Sequence, residues 1–403
     1  MIRSSVHGVV QGEPERQALL NVIDRQWYTH SIYTTEFEKR MREYIGVRFA
    51  AFCNSGSSAN LLALSALADH DIPEERRICP GDEVITTAIS FVTTVAPIVQ
   101  VGAVPVFIDM LPDFSVDVDA IEAAIKPKTK AVVLTHTLGF PFDGEAVRAL
   151  CDRYKLWLVE DTCDALGSVS GDRMCGAWGD LSTLSFYPAH TITAGEGGMV
   201  LTNTAYLARI VRSYRDWGKG CWCEPGQDNA CGHRFDGGYD HKHTHVRMGY
   251  NLKATDFQGA LGLAQMDRLN GFISARRENY DYLYTWLAGE YYSCQPLPPG
   301  ASPFGFPFVL DEYVDRPDFC RYLEKNGVGV RMIFGGLPDK HPAYKHINYR
   351  VSGELPNTKR FFERGLWVGC WPGLNVVQLD HIVDTIEEYD TCKDKIKSLS
   401  QAS

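Results

Sequence analysis

Between residue 45 and about residue 215, short runs of β-branched and apolar residues alternate with longer stretches of helical period, which limits the chain to few architectures. Residues 50–53, 83–87, 104–109, 131–135, 156–160, 181–186 and 199–201 read as strands, and 57–67, 116–125 and 144–154 carry apolar positions at helical spacing. Such alternation builds a largely parallel sheet covered by helices on both faces, an α/β fold. Residues 84–108 contain no charged side chain and are long enough to cross a bilayer. Four threonines, two prolines, a serine, a glutamine and a glycine within the run fit two buried strands joined by a short apolar helix instead.

Residues 217–246 break the alternation, being rich in Gly, Asp, His and Cys and too long for an idle connection. Helical period returns over 253–288. Strand-like runs at 306–310, 327–333 and 366–369, with helix-like runs at 316–326 and 377–399, then describe a smaller α+β unit. The expected division is an N-terminal arm plus large domain over 1–270, including a cysteine-bearing insertion at 217–247, and a linking helix with a small C-terminal domain over 271–403. Forty basic against 50 acidic side chains give a formal charge of -10, which argues against a nucleic-acid or membrane-surface partner. The opening MIRSSVHGVVQGEPERQ has no apolar core of signal-peptide length, so a cytoplasmic protein is expected.

Three motifs fall at strand ends. NSGSSAN (54–60) follows a strand and opens a helix, where backbone N–H groups and hydroxyls at Gly56 and Ser57 would cradle a phosphate. LVEDTCDALGS (158–168) puts Asp161 at the carboxyl edge of the sheet, where open α/β folds bind ligands; a carboxylate there can keep a pyridinium nitrogen protonated. SFYPAHTITAGEGG (185–198) is another strand end followed by glycines. Cys221, Cys223 and Cys231 crowd the insertion, and three thiols so close in a reducing compartment suggest a metal site needing a fourth ligand. Their spacing leaves zinc and iron–sulfur equally open. His233, His241, His243 and His245 read as loop residues facing solvent or substrate rather than as a second metal set.

Together with SFVTTVAPI, GYNLKATDFQGALGLAQ and WVGCWPGL, these motifs make nearly the whole chain similar to the sugar aminotransferases and dehydratases of the DegT/DnrJ/EryC/StrS family. The resemblance implies the aspartate aminotransferase-like (type I PLP) fold, with a large mixed, mostly parallel sheet domain, a smaller α+β C-terminal domain, and a homodimer with active sites at its interface. One departure stands out: His190 occupies the position of the aminotransferases' cofactor lysine. An imidazole cannot make the covalent imine that a lysine amine makes with the coenzyme aldehyde. The resemblance therefore implies noncovalent pyridoxamine 5'-phosphate (PMP) or pyridoxal 5'-phosphate (PLP), with His190 as proton shuttle. Carried over residue by residue, it implies Gly56, Ser57 and Ser185 at the phosphate, Phe91 stacked on the ring, Asp161 at the ring nitrogen and Asp164 near the ring hydroxyl. Asn251 would reach the neighbouring subunit's phosphate, and Tyr187 would face the cofactor.

Counting back from Cys221, Cys163 precedes it by 57 intervening residues; one separates Cys221 from Cys223, and seven separate Cys223 from Cys231. That pattern resembles the iron–sulfur signature of the CDP-4-keto-6-deoxyglucose-3-dehydrases. It implies a 2Fe-2S cluster on Cys163, Cys221, Cys223 and Cys231, and reductive removal of the 3-hydroxyl from an NDP-4-keto-6-deoxyhexose. Electrons would come from an iron–sulfur flavin reductase or a ferredoxin, because no G-x-G-x-x-G nicotinamide motif follows a strand. The alternative is an iron-free, glutamate-coupled 3-dehydratase resembling GDP-4-keto-6-deoxymannose-3-dehydratase.

Overall fold

The computed structural model describes residues 2–221, 223, 229–289 and 292–401, with backbone alone over 390–401. Nine strands come first in the chain: β1 (Phe49–Cys53), β2 (Glu83–Thr87), β3 (Val104–Ile108), β4 (Thr129–Thr135), β5 (Trp157–Asp161), the short pair β6 (Val169–Ser170) and β7 (Arg173–Met174), β8 (Leu181–Ser185) and β9 (Gly198–Thr202). Five more follow: β10 (Tyr292–Cys294), β11 (Phe306–Leu310), β12 (Val330–Met332), β13 (Arg350–Val351) and β14 (Gly365–Val368).

An eight-stranded sheet runs β1-β9-β8-β5-β4-β2-β3-β13, and a four-stranded antiparallel sheet runs β10-β11-β14-β12. In the large sheet only β9 runs against the rest, pairing antiparallel with both β1 and β8. The carboxyl ends of β1, β2, β5 and β8 therefore lie along one edge. Strands β5 and β8 are buried along their whole length; β5 opens on the apolar run Trp157, Leu158 and Val159, whereas β8 buries Ser182 and Thr183, whose hydroxyls donate to Glu160 Oε1 at 3.2 Å and Asn60 Oδ1 at 2.6 Å. The charge-free run forms β2, the helix Val92–Gln100 and β3, as its polar interruptions indicate.

The helices Glu13–Arg25 and Ile32–Ile45, which the alternation does not reveal, pack on the helix Asp256–Met266. Buried Asp256 holds the entry to the second of them by accepting from the Ser31 N–H at 2.9 Å, the Thr34 N–H at 3.1 Å and the Thr34 hydroxyl at 2.9 Å. The two parts of the chain are laced together, since Ser4 bridges to Val328 and β13 extends the large sheet. Among the described residues no helix is long and apolar enough to cross a membrane.

Candidate active site

The edge formed by β1, β2, β5 and β8 gathers most of the residues singled out in the sequence. Gly56 begins the helix Gly56–Leu67, whose N-cap Ser55 accepts from the Ser58 N–H at 3.1 Å. A Cβ at Gly56 would lie 2.6 Å from the Ser185 Cβ and 3.2 Å from the Cys163 Sγ, so only glycine lets helix start and strand end meet. Ser57 is exposed and donates to Thr93 Oγ1 at 3.1 Å. Phe91 and Tyr187 stand 54% and 46% exposed beside buried strand ends, unusual for large rings placed there. Asn251 is exposed, its side-chain oxygen accepting from Lys253 Nζ at 2.7 Å.

Asp161, at the end of β5, is fixed as an acceptor. Its Oδ2 accepts from Asn60 Nδ2 at 2.9 Å and from the Thr94 hydroxyl at 2.6 Å, and its Oδ1 from the Cys163 N–H at 3.2 Å. Thr183 on β8 donates to Asn60 Oδ1 at 2.6 Å, which orients the amide. Asp164 is buried close by, and burial together with the Asp161 charge pushes its pKa up to about 8. His190 Nδ1 lies 3.6 Å from Asp164 Oδ1, buried and without a hydrogen-bond partner. Burial, reinforced by Arg276 and His7, brings the imidazole down to about 3, so at neutral pH it is an uncharged base.

Arg276 is a site residue that the sequence does not announce. Its buried guanidinium donates to the carbonyls of Ala189 and His190, both at 3.1 Å, and to those of Phe304 at 2.8 Å and Pro303 at 3.3 Å. It thereby locks the turn bearing the base onto the segment that leads into β11. Asn60 and Thr94 were likewise missed as supports of Asp161, although Asn60 lies inside the NSGSSAN motif.

The insertion makes a second site. Its stem is closed by the Gly220 N–H to Thr244 carbonyl bond at 3.0 Å and the Val246 N–H to Gly218 carbonyl bond at 2.8 Å, and Arg247 anchors it on Asp69 at 2.8 Å and on Asp71. Within it, Cys221, Cys223 and His241 place their ligand atoms all within 4.8 Å of one another. His241 Nε2 lies 3.0 Å from Cys221 Sγ and 3.6 Å from Cys231 Sγ, which joins Cys231 to the group. The structure thus gives His241 a place among the thiols, where the sequence reading had a solvent- or substrate-facing loop residue. Cys163 is not brought to this group: its backbone and thiol face Asp161 and Gly56 on the floor of the sheet-edge pocket. An open groove of about 1350 Å³ between the helix Ala205–Arg215 and the insertion is lined by Cys221 and Cys223.

A sheet edge with a glycine-opened helix, a carboxylate at the end of β5 and a histidine five residues past the end of β8 belongs to an enzyme of the aminotransferase-like PLP fold. The chain belongs to the DegT/DnrJ/EryC1/StrS aminotransferase family, whose model matches residues 10–387. It is 43% identical over 396 residues to the lipopolysaccharide biosynthesis protein RfbH of Salmonella typhimurium, covering 95% of this chain and 90% of the relative. It is also 43% identical over 395 residues to the dTDP-4-dehydro-2,6-dideoxy-D-glucose 3-dehydratase of Saccharopolyspora spinosa, covering 95% of this chain and 85% of that one. The solved structure of E. coli GDP-4-keto-6-deoxy-D-mannose-3-dehydratase with bound hydrated PLP superposes with a TM-score of 0.88 at 26% identity, covering 96% and 100% of the two chains.

The residues present fit such a coenzyme. Gly56 lets the helix start close against Ser185 at the sheet edge, Phe91 offers a half-exposed ring at the neighbouring strand end, and His190 keeps a buried nitrogen with no partner in the protein.

Proposed function

We propose that this protein removes the 3-hydroxyl of a nucleotide-linked 4-keto-6-deoxyhexose in deoxysugar biosynthesis, and does so reductively. The observation that carries the reading is His190: an uncharged, largely enclosed imidazole whose Nδ1 is buried and bonded to no protein group, 3.6 Å from the Asp164 carboxyl group. The printed activities of the Saccharopolyspora and E. coli relatives, both 3-dehydratases of nucleotide sugars, support it.

PMP, when bound, supplies an amine for the substrate's keto carbon and a ring that accepts the electron pair left by a departing proton. Gly56, Ser57 and Ser185 would hold its phosphate, Phe91 would cover its ring, Asp161 would keep the ring nitrogen protonated and Asp164 would lie near the ring hydroxyl. Asn251 would serve the phosphate of a second copy in a homodimer. His190 would take a proton at the coenzyme's 4′ carbon as the substrate's 3-hydroxyl departs as water, and Tyr187 would stand at the exposed mouth of the pocket. Replacing C–OH by C–H consumes two electrons and two protons and releases one water. Cys221, Cys223 and Cys231 would hold a 2Fe-2S cluster which, fed by an iron–sulfur flavin reductase or a ferredoxin, would supply those electrons singly. The thiols gathered around His241 support this half of the reading.

The test is an anaerobic assay of the full chain, loaded with PMP, iron and sulfide, on CDP- and dTDP-4-keto-6-deoxyglucose. A 3-deoxy product formed only with an electron donor is the expected result. Metal-free protein that turns over continuously on glutamate without a donor would overturn the reductive reading in favour of the iron-free one.

A further inference from the structure

We infer that Arg276 is the positioning residue of the proton shuttle, its buried fork fixing the turn that carries His190 and, through Phe304, the distance from that imidazole to Asp164; the role given to His190 rests on the reading above.

The fork comes from the helix Leu269–Leu287. Arg276 is 1% exposed, and four of its five N–H groups go to carbonyl oxygens of two segments. One pair of carbonyls, on Ala189 and His190, belongs to the base's own turn, in which the His190 N–H donates to the Tyr187 carbonyl at 3.0 Å. The other pair, on Pro303 and Phe304, belongs to the segment whose Phe304 ring packs on the His190 ring at 5.2 Å between centroids. A single planar group thus holds both the main chain of the base and the ring that it leans on.

The bonds close a circuit. Asp164 Oδ2 accepts from the Leu138 N–H at 3.3 Å, the Leu138 carbonyl from the Phe304 N–H at 2.9 Å, and the Phe304 carbonyl from Arg276 at 2.8 Å. Arg276 also reaches the His190 carbonyl at 3.1 Å, and His190 Nδ1 returns to 3.6 Å from Asp164 Oδ1. That last gap is the one link without a hydrogen bond, so the other four set its length. The circuit has little slack: a Cβ at Gly139, beside Leu138, would meet the Ser302 carbonyl oxygen at 2.1 Å. Such rigidity matters for a proton shuttle, since a misplacement of about 1 Å costs a positioned group about 10²-fold in rate.

The charge of the fork acts in the same sense. Its acceptors are carbonyls, and the nearby Cys370 thiol, pushed up to about 11 by burial, supplies no counter-charge. The groups that face the imidazole are Asp164, His7 and Arg276, and the segment through Phe304 adds no titratable side chain. After burial, Arg276 is the largest influence keeping the ring uncharged.

The test compares Arg276→Lys, which keeps the charge and loses the planar fork, with Arg276→Met, which loses both. Folded Arg276→Lys, loaded with PMP and assayed for 3-dehydration of CDP-4-keto-6-deoxyglucose, should lose about 10- to 100-fold in kcat with little change in KM. The His190 ring is followed separately by NMR in coenzyme-free protein labelled with 15N-histidine, its signal identified by loss in His190→Asn. It should stay uncharged down to about pH 5 in the wild type and in Arg276→Lys, and take up its proton at a higher pH in Arg276→Met. A purely structural role would lower Tm and leave the kcat of folded Arg276→Lys at the wild-type value. That result, or an unshifted His190 titration in folded Arg276→Met, would overturn the assignment; should Arg276→Met not fold, Arg276→Lys decides alone. If the wild-type chain dehydrates no nucleotide sugar, the functional reading fails by itself. The assignment is then read from a crystal structure of Arg276→Lys: a displaced His190, with a changed gap to Asp164, supports it, and an unmoved one overturns it.

Discussion

Asp161 is 3% exposed and is held by Asn60 and Thr94, 101 and 67 positions away in the chain. The thiols of the insertion, by contrast, find their partners in the same loop, with Cys221 meeting His241 only 20 positions on and Cys231 meeting it 10 positions on. The pocket is thus assembled by the sheet, and the insertion largely by itself. Buried, long-range hydrogen bonds fix a coenzyme site to within the tolerance of the core, because an unmade bond there costs the full desolvation of its group. A partly exposed loop stitched by local bonds has no such constraint, and a metal would supply much of its order.

The sharpest way to break this division is His190→Asn. Turnover should fall by about 10²- to 10⁴-fold, the ordinary worth of a positioned acid–base group, while metal content and noncovalent coenzyme uptake stay at wild-type levels. A matching loss of iron would show that the two regions are not independent.

Glycine substitutions compare the regions more finely. In Gly56→Ala the new methyl meets Ser185 at 2.6 Å, so PMP affinity by absorbance titration should weaken at least about tenfold, equivalent to about 1.4 kcal/mol. Gly237→Ala in the insertion meets nothing within 4 Å and should leave both affinity and melting temperature unchanged. Equal effects at the two positions would undo the contrast.

The smallest expected effect is on pH dependence. Asp164 keeps its proton up to about 8 in the fold, against an ordinary value of 3.8. The folded state therefore holds a proton that the unfolded chain releases, and stability contributed by the group is lost as pH rises from about 4 through about 8. Ionisation also adds a second carboxylate beside Asp161, so kcat/KM should decline above pH 8. Asp164→Asn should flatten that limb and the corresponding slope of Tm against pH. A limb that persists in the variant would assign it to another group.

Much of the pocket was legible because its residues sit at or just past strand ends: Gly56 where β1 gives way to a helix, Asp161 at the end of β5, Ser185 at the end of β8 and His190 five residues on. Arg276 was not, because nothing in a helix of mixed period says that one of its arginines will turn inward to four carbonyls contributed by two other segments. His241 was read as a loop residue facing solvent or substrate, and only the loop's own fold brings its imidazole to 3.0 Å from Cys221 Sγ and 3.6 Å from Cys231 Sγ.

By itself the sequence determined the α/β alternation, the order of the strands along the chain and the chemistry gathered at their ends, since burial on both faces and tight turns each demand particular residue types. The tertiary structure alone decided that β9 runs against its neighbours, that Asn60 and Thr94 share one carboxylate, and that His241 stands among the thiols while Cys163 stays at the sheet edge. Those outcomes depend on which segments meet in space, and no periodicity along the chain encodes a distance between its remote parts.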